Sequence, residues 1–186
     1  TNYNKSQFLK KSLKSIQTQQ YKNYEIIIFD DASTDNSIEI IKKFKKMKLV
    51  INKKKIYSCP ALNQIYGLKK AFLKSRGKII CLMDADDYFK KNKLFEVNKY
   101  FELNKKKNVL YNLPIVAAGN NFNIFKITKN RIWPVIFPTS CISIKRDSLK
   151  LFFQNVKSEN YQNLEIDIKI NIFFYFYLNE YNLLKK

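Results

Sequence analysis

The chain has 186 residues, 46% of them apolar and 15% aromatic, which suits one domain with a packed core and is too rich for a disordered chain. It has no histidine, so every His-based triad, zinc site and haem ligand is excluded. Its three glycines (Gly67, Gly77 and Gly119) spell neither a Walker loop nor a G-x-G-x-x-G turn, and its formal charge is +20, from 35 Lys and Arg against 15 Asp and Glu.

The chain opens on polar Thr1-Asn2-Tyr3-Asn4. Phe8, Leu9, Leu13 and Ile16 then recur at helical spacing and predict a helix. Residues 25–30, Glu-Ile-Ile-Ile-Phe-Asp, read as a buried strand. A polar loop follows, in which Asp35 or Ser37 can cap a helix that carries Ile38, Ile41 and Phe44 inward. Residues 48–51 are a short strand and 53–55 a basic connector. Pro60 suits the first turn of the next helix, whose buried side is Leu62, Ile65, Tyr66 and Phe72. Residues 78–83 form a second apolar strand, and Asp84-Ala85-Asp86-Asp87 follows at once. A helix over 92–101, extended segments at 109–118 and 139–144, and helices at 146–153 and 165–178 complete the chain. The alternation in the first half predicts an α/β fold: a mixed, mainly parallel, Rossmann-like sheet with helices on both faces. Strands 25–30 and 78–83 are expected in that one sheet, with both acidic clusters at its carboxyl edge, where such sheets bind ligands.

The cysteines, Cys59, Cys81 and Cys141, are odd in number and far apart, and read as reduced thiols. The longest apolar run, residues 172–178, is far below the ~20 residues of a membrane span, and no signal peptide is recognisable, so a cytoplasmic location is expected. Only Arg76, Arg131 and Arg146 are arginines, which leaves 32 of the 35 cations as lysine. Nucleic-acid readers favour Arg, and Lys, Asn, Ile and Phe abound together as they do with A/T-rich codons. Most of the charge is therefore read as diffuse, with a local contribution from residues 53–55 and Arg76 that is expected to attract a diphosphate or an anionic membrane.

Asp84, Asp86 and Asp87 crowd three carboxylates into four positions. Like charges this close repel, and a divalent cation such as Mn²⁺ or Mg²⁺ resolves the conflict while neutralising a leaving diphosphate. The ordinary reading is a solvated acidic turn ahead of a helix. Asp30-Asp31-Ala32-Ser33-Thr34-Asp35 offers carboxylates for a base or ribose, or else a turn and a helix cap. Tyr3 offers a stacking face, or else a core aromatic.

Together these segments, with Asn63, Gly67, Ala71 and Gly77, resemble the family 2 glycosyltransferases of the GT-A fold. The likeness is close over residues 1–101 and looser through Pro138-Thr139-Ser140-Cys141 to Leu164-Glu165-Ile166-Asp167. It implies a single GT-A domain over 1–186, with a nucleotide-sugar-binding half at 1–101 and an acceptor-side half at 102–186. By the same resemblance, Thr1, Tyr3 and Asp31 hold the nucleotide, Asp84 sits near the ribose or sugar, and Asp86 is the metal ligand. Asp167 is the general base of an inverting transfer, with Glu165 the other candidate. The donor is a nucleotide sugar, UDP-linked by preference, and the acceptor a hydroxyl on a surface glycan or lipid-linked intermediate. Peripheral contact with an anionic membrane at its inner face is expected, and no nucleic-acid partner. Two features depart from the family. Its apolar first strand, just before Tyr-Asn, is missing here. Its Gln-x-x-Arg-Trp is absent, and Arg131-Ile132-Trp133 does not replace it. The alternatives are a truncated or degenerate domain that binds nucleotide without turnover, or a basic nucleic-acid-binding module. An acylphosphate-type phosphotransferase fits poorly, because position 88 is Tyr.

Overall fold

The computed structural model describes residues 1–114, 135–156 and 161–184. Its first part packs around β1 (Ile26–Asp31), which pairs in parallel with β2 (Met47–Asn52) through all six positions, from Ile26↔Met47 to Asp31↔Asn52. The apolar run of β1 is buried on both faces, as its composition requires. Ile26 and Ile28 join Leu9 and Leu13 of α1 (Ser6–Gln17) and Ile41 of α2 (Ser37–Lys42) in one core cluster. Phe29, one residue out of phase, meets α3 (Pro60–Lys74) on the other side. Gly67 permits that approach: a Cβ there would lie 2.5 Å from Phe29 Cδ1. Pro60 occupies the first turn of α3, where its fixed φ suits the helix and its missing N–H costs nothing.

The second part is a four-stranded sheet in the order β3 (Ile79–Cys81), β5 (Ile142–Lys145), β4 (Val109–Asn112), β6 (Leu183–Leu184). β5 runs antiparallel to both of its neighbours, and β6 runs parallel to β4. Val109, Tyr111, Ile142 and Ile144 bury one face against α5 (Arg146–Asn155) and α6 (Ile166–Ile172), through Leu149, Phe152, Ile166 and Ile170. The other face meets α4 (Lys93–Leu103), with Val97 and Phe101 packed on Leu110.

The α/β expectation holds, and the sheet structure is mixed. The expectation of one continuous sheet through 25–30 and 78–83 is corrected: β1 and β3 belong to separate sheets. Between them runs a slot of about 590 Å³, lined by Ile26 and Ile27 on one side and Ile80 and Leu82 on the other, with Leu68 and Phe72 of α3 along it. No described strand fills the slot, so the two edges have no ladder to share. Only Asn2 reaches the β1 edge, in a single parallel bridge to Asp30.

Other boundaries shift for local reasons. The strand expected over 78–83 pairs only at Ile79–Cys81, after which Leu82 N–H donates once to the Ile142 carbonyl at 3.0 Å. The segment expected to be extended from 139 begins as a 3₁₀ turn, Thr139–Cys141. The helix expected over 165–178 is α6 followed by a π-helical turn, Phe173–Tyr177, whose aromatics bury Phe173 and Phe174. Residues 115–118 of the extended segment and Arg131-Ile132-Trp133 lie outside the described residues. Among the described residues no helix is long and apolar enough to cross a membrane, and all three cysteines are free thiols.

Candidate active site

The segment at Thr1 to Asn4 is bound to the end of β1 by main chain and side chain together. Asn2 N–H donates to the Phe29 carbonyl at 2.8 Å, and Asp31 N–H donates to the Asn2 carbonyl at 2.9 Å. Asp30 is fully buried. Its carboxylate accepts from Asn2 Nδ2 at 2.7 Å, Ser33 N–H at 3.0 Å and Ser33 Oγ at 2.7 Å. Ser33 Oγ in turn accepts from Asn4 N–H at 3.0 Å, and Asn4 Oδ1 accepts from Thr34 N–H at 2.8 Å. Two non-glycine residues hold left-handed backbone here, Asn4 at φ 49° and Ala32 at φ 58°. For Ala32 that geometry is strained, and the surrounding hydrogen bonds hold it in place. Asp35 receives Ser6 N–H at 2.9 Å and Ser37 N–H at 3.0 Å, so one carboxylate serves the first turns of both α1 and α2. Burial alone would raise Asp35, but the donors of Ser37 and Ser6 outweigh it and hold the carboxyl down at about 2.

Because side chains alternate along β1, Asp31 leaves the face that Asp30 occupies. Asp31 borders an open cleft of about 660 Å³ and accepts one hydrogen bond, from Asn52 Nδ2 at 3.1 Å. Thr1, Tyr3, Asp84 and Asp86 border the same cleft. The structure thus gathers all five sequence-predicted nucleotide and metal residues around one space, although they come from three segments about 30 to 80 residues apart. That volume lies within the usual range of small-molecule sites.

Tyr3 is 43% exposed, so the core-aromatic reading of this residue is set aside. The Nζ of Lys55 stands 3.4 Å from its ring centroid. Asp84 is placed by its backbone N–H, which donates to Ser140 Oγ at 2.9 Å. Burial pushes the Asp84 carboxyl up, and the neighbouring Asp87 and Asp86 carboxylates add to it. Asp86 faces solvent and pairs with Lys5 Nζ at 2.6 Å. Its carboxylate thus already has a cationic partner, which is the chemistry a cation ligand requires. No group of three or more metal-ligating side chains is assembled among the described residues.

The two acidic residues at the start of α6 separate. Glu165, the residue before the helix, borders the cleft; Asp167 is not among the cleft residues. Asp167 is half-buried, accepts from Ile168 N–H at 2.7 Å, and is pushed up by burial. Of the basic group expected near a diphosphate, Lys55 borders the cleft and Arg76 borders the slot instead. Three contributors were given no role of their own from sequence, although they lie in segments that carry the resemblance: Lys5, Ser140 and the Asn63 clasp. In the last, Asn63 Oδ1 and Nδ2 bind both main-chain groups of Tyr57, at 3.0 and 2.7 Å. For Asn63 the signal existed, because an amide four residues into a helix can close the preceding loop.

The family model described as glycosyl transferase family 2 matches residues 1–176. An uncharacterized glycosyltransferase of Haemophilus influenzae is 30% identical over 179 residues, covering 86% of this chain and 66% of its own. A UDP-Glc:alpha-D-GlcNAc-diphosphoundecaprenol beta-1,3-glucosyltransferase of Escherichia coli is 34% identical over 93 residues, covering 50% of this chain and 35% of its own. Among solved structures, a mannosyltransferase of Pyrobaculum calidifontis in complex with GDP-Man and Mn²⁺ superposes with a TM-score of 0.75 at 16% identity, over 100% of this chain and 52% of that one. The chain therefore spans only part of the length of the proteins it matches.

Proposed function

The chain belongs to glycosyl transferase family 2, and from that premise we propose that it binds a nucleotide-diphosphate sugar, UDP-linked by preference, and transfers the sugar with inversion to a hydroxyl acceptor. The observation that carries this reading is the convergence of Thr1, Tyr3, Asp31, Asp84 and Asp86 on one cleft. In this reading the exposed ring of Tyr3 stacks on the base, and Asp31 accepts hydrogen bonds from base or ribose. Asp84, fixed by Ser140, meets the ribose or sugar.

Asp86 is the ligand for Mn²⁺ or Mg²⁺. These ions take one or two carboxylates and fill their remaining positions with phosphate and water oxygens, which fits a site with few protein ligands. When bound, the ion neutralises charge on the leaving diphosphate. A carboxylate on the far side of the sugar takes the acceptor proton. Asp167 is the candidate from the resemblance, and Glu165 is the one that borders the cleft. Residues 1–101 then form the donor half and 102–186 the acceptor half. The names of the relatives support a glycan or lipid-linked acceptor, and the formal charge of +20 suits peripheral contact with an anionic membrane surface on the cytoplasmic side.

A second reading, donor binding without turnover, is favoured by Asp167, the base implied by the resemblance, not bordering the cleft. The same experiment separates them. Thermal shift is recorded with UDP and UDP-sugars, with and without Mn²⁺, and sugar release is followed in parallel. Stabilisation by UDP that grows with Mn²⁺ supports the donor site, and its absence sinks it. Stabilisation without sugar release or transfer selects the second reading.

A further inference from the structure

Two of the cleft's key groups already have partners, and both partners are lysines. Lys5 Nζ lies 2.6 Å from Asp86 Oδ2, with both side chains about 40% exposed. Lys55 Nζ lies 3.4 Å above the Tyr3 ring, on a face that a stacked base would need. Lys5 stands just before α1 and Lys55 between β2 and α3, so each is carried by a segment that helps to build the cleft. An exposed ion pair and an exposed cation–π contact are weak, and either yields to a better partner. The cleft border also carries Asp31, Asp84, Asp86 and Glu165. A diphosphate entering among four carboxylates needs cations beyond one divalent ion, and Lys5 and Lys55 are the ammonium groups on that border.

We propose that Lys5 and Lys55 are the counter-ions of the empty cleft and bind the diphosphate of the donor once it arrives. Lys5 leaves Asp86 as the divalent cation enters, and Lys55 leaves Tyr3 as the base stacks. Both ammonium groups then meet phosphate oxygens. This rests on the donor reading above. It adds that metal and nucleoside each compete with a lysine, whereas the diphosphate recruits both.

The test uses isothermal titration of the whole chain with four probes: Mn²⁺ alone, uridine, inorganic diphosphate and UDP. Lys5→Ala should bind Mn²⁺ roughly three- to fivefold more tightly. Lys55→Ala should gain similarly for uridine. Both should bind diphosphate roughly tenfold more weakly. Lys10→Ala, which removes an exposed charge on α1 away from the cleft border, controls for long-range charge and should change each affinity by less than twofold. The proposal is overturned if Lys10→Ala reproduces the shifts, or if Lys5→Ala leaves Mn²⁺ binding unchanged. It is overturned equally if Lys55→Ala weakens uridine. UDP that binds no better than inorganic diphosphate would instead refute the nucleotide reading, and the lysine contrasts would still be measurable.

Discussion

Adjacent aspartates at the end of β1 should respond to mutation in opposite ways. Asp30 is fully buried, and three hydrogen bonds converge on its carboxylate, from Asn2 Nδ2, Ser33 N–H and Ser33 Oγ. In Asp30→Ala the Ser33 hydroxyl can rotate to water and Asn2 Nδ2 keeps its 3.1 Å bond to Ser33 Oγ, but one Asn2 amide N–H and the Ser33 main-chain N–H lose their acceptor inside the fold. A hydrogen bond to a charged group contributes about 1.5–3 kcal/mol, so two such losses, offset by relief of a buried charge, come to about 3 kcal/mol. Asp30→Asn keeps the shape but turns an amide N–H toward N–H donors, and should cost about half as much. Asp31→Ala loses one bond, from Asn52, at the border of an open cleft. It should cost under about 1 kcal/mol, yet weaken UDP binding more than any loss of stability explains. Urea unfolding followed by circular dichroism gives the midpoints, and a constant slope confirms that only stability has moved. A loss below about 1 kcal/mol in Asp30→Ala, or a larger loss in Asp31→Ala, would refute the assignment of Asp30 as the structural carboxylate and Asp31 as the ligand-facing one.

Asp86→Asn should abolish the Mn²⁺-dependent part of UDP stabilisation, which for wild type at 100 times its Kd amounts to about 2.7 kcal/mol in thermal or urea denaturation. Tyr3→Ala should stay folded, because the ring is 43% exposed, and lose about 1–3 kcal/mol of UDP affinity by titration. Asp35 has its folded value depressed to about 2 from 3.8. Its contribution is therefore present above pH 4 and fades as pH falls toward 2. Asp35→Asn should flatten that part of the acid-unfolding curve, and an unchanged curve would remove Asp35 from the account. Glu165→Gln and Asp167→Asn, compared by transfer rate at saturating donor, should separate the base: the variant that loses about 10²–10⁴-fold while donor binding persists identifies it.

Much of the site was legible because its acidic motifs end apolar runs, and an apolar run between polar loops is a strand in almost any context. Alternation puts Asp30 and Asp31 on opposite faces, and the family resemblance is what marked Asp31 as the one that meets the nucleotide. The acidic residues of α6 were harder. Which of Glu165 and Asp167 reaches the cleft depends on the phase of the helix, and that is set by Ile166 and Ile170 entering a core made of distant segments. Lys55 was expected only as one of a basic run, and Lys5 could not be picked out among 35 cations, since local pattern does not say which flexible side chain bends toward a carboxylate 81 positions away. The division into two sheets was invisible for the same reason: whether two strands share a ladder is decided by what lies between them, and no local pattern in either strand carries that.

Among the described residues no ladder joins β1 to β3, and the two sheets are tied to each other by a few brackets. One is α3, whose Gly67 rests on Phe29 of the first sheet while Ile65 and Phe72 sit in the core of the second. Another is Gln19, fully buried, which receives Leu94 N–H at 3.0 Å and donates to the Lys90 carbonyl at 2.7 Å. A third is the Lys5–Asp86 pair itself. Asp31 ends a strand of one sheet and Asp84 and Asp86 follow a strand of the other, so a ligand that touches all three acts as a further strut between the sheets.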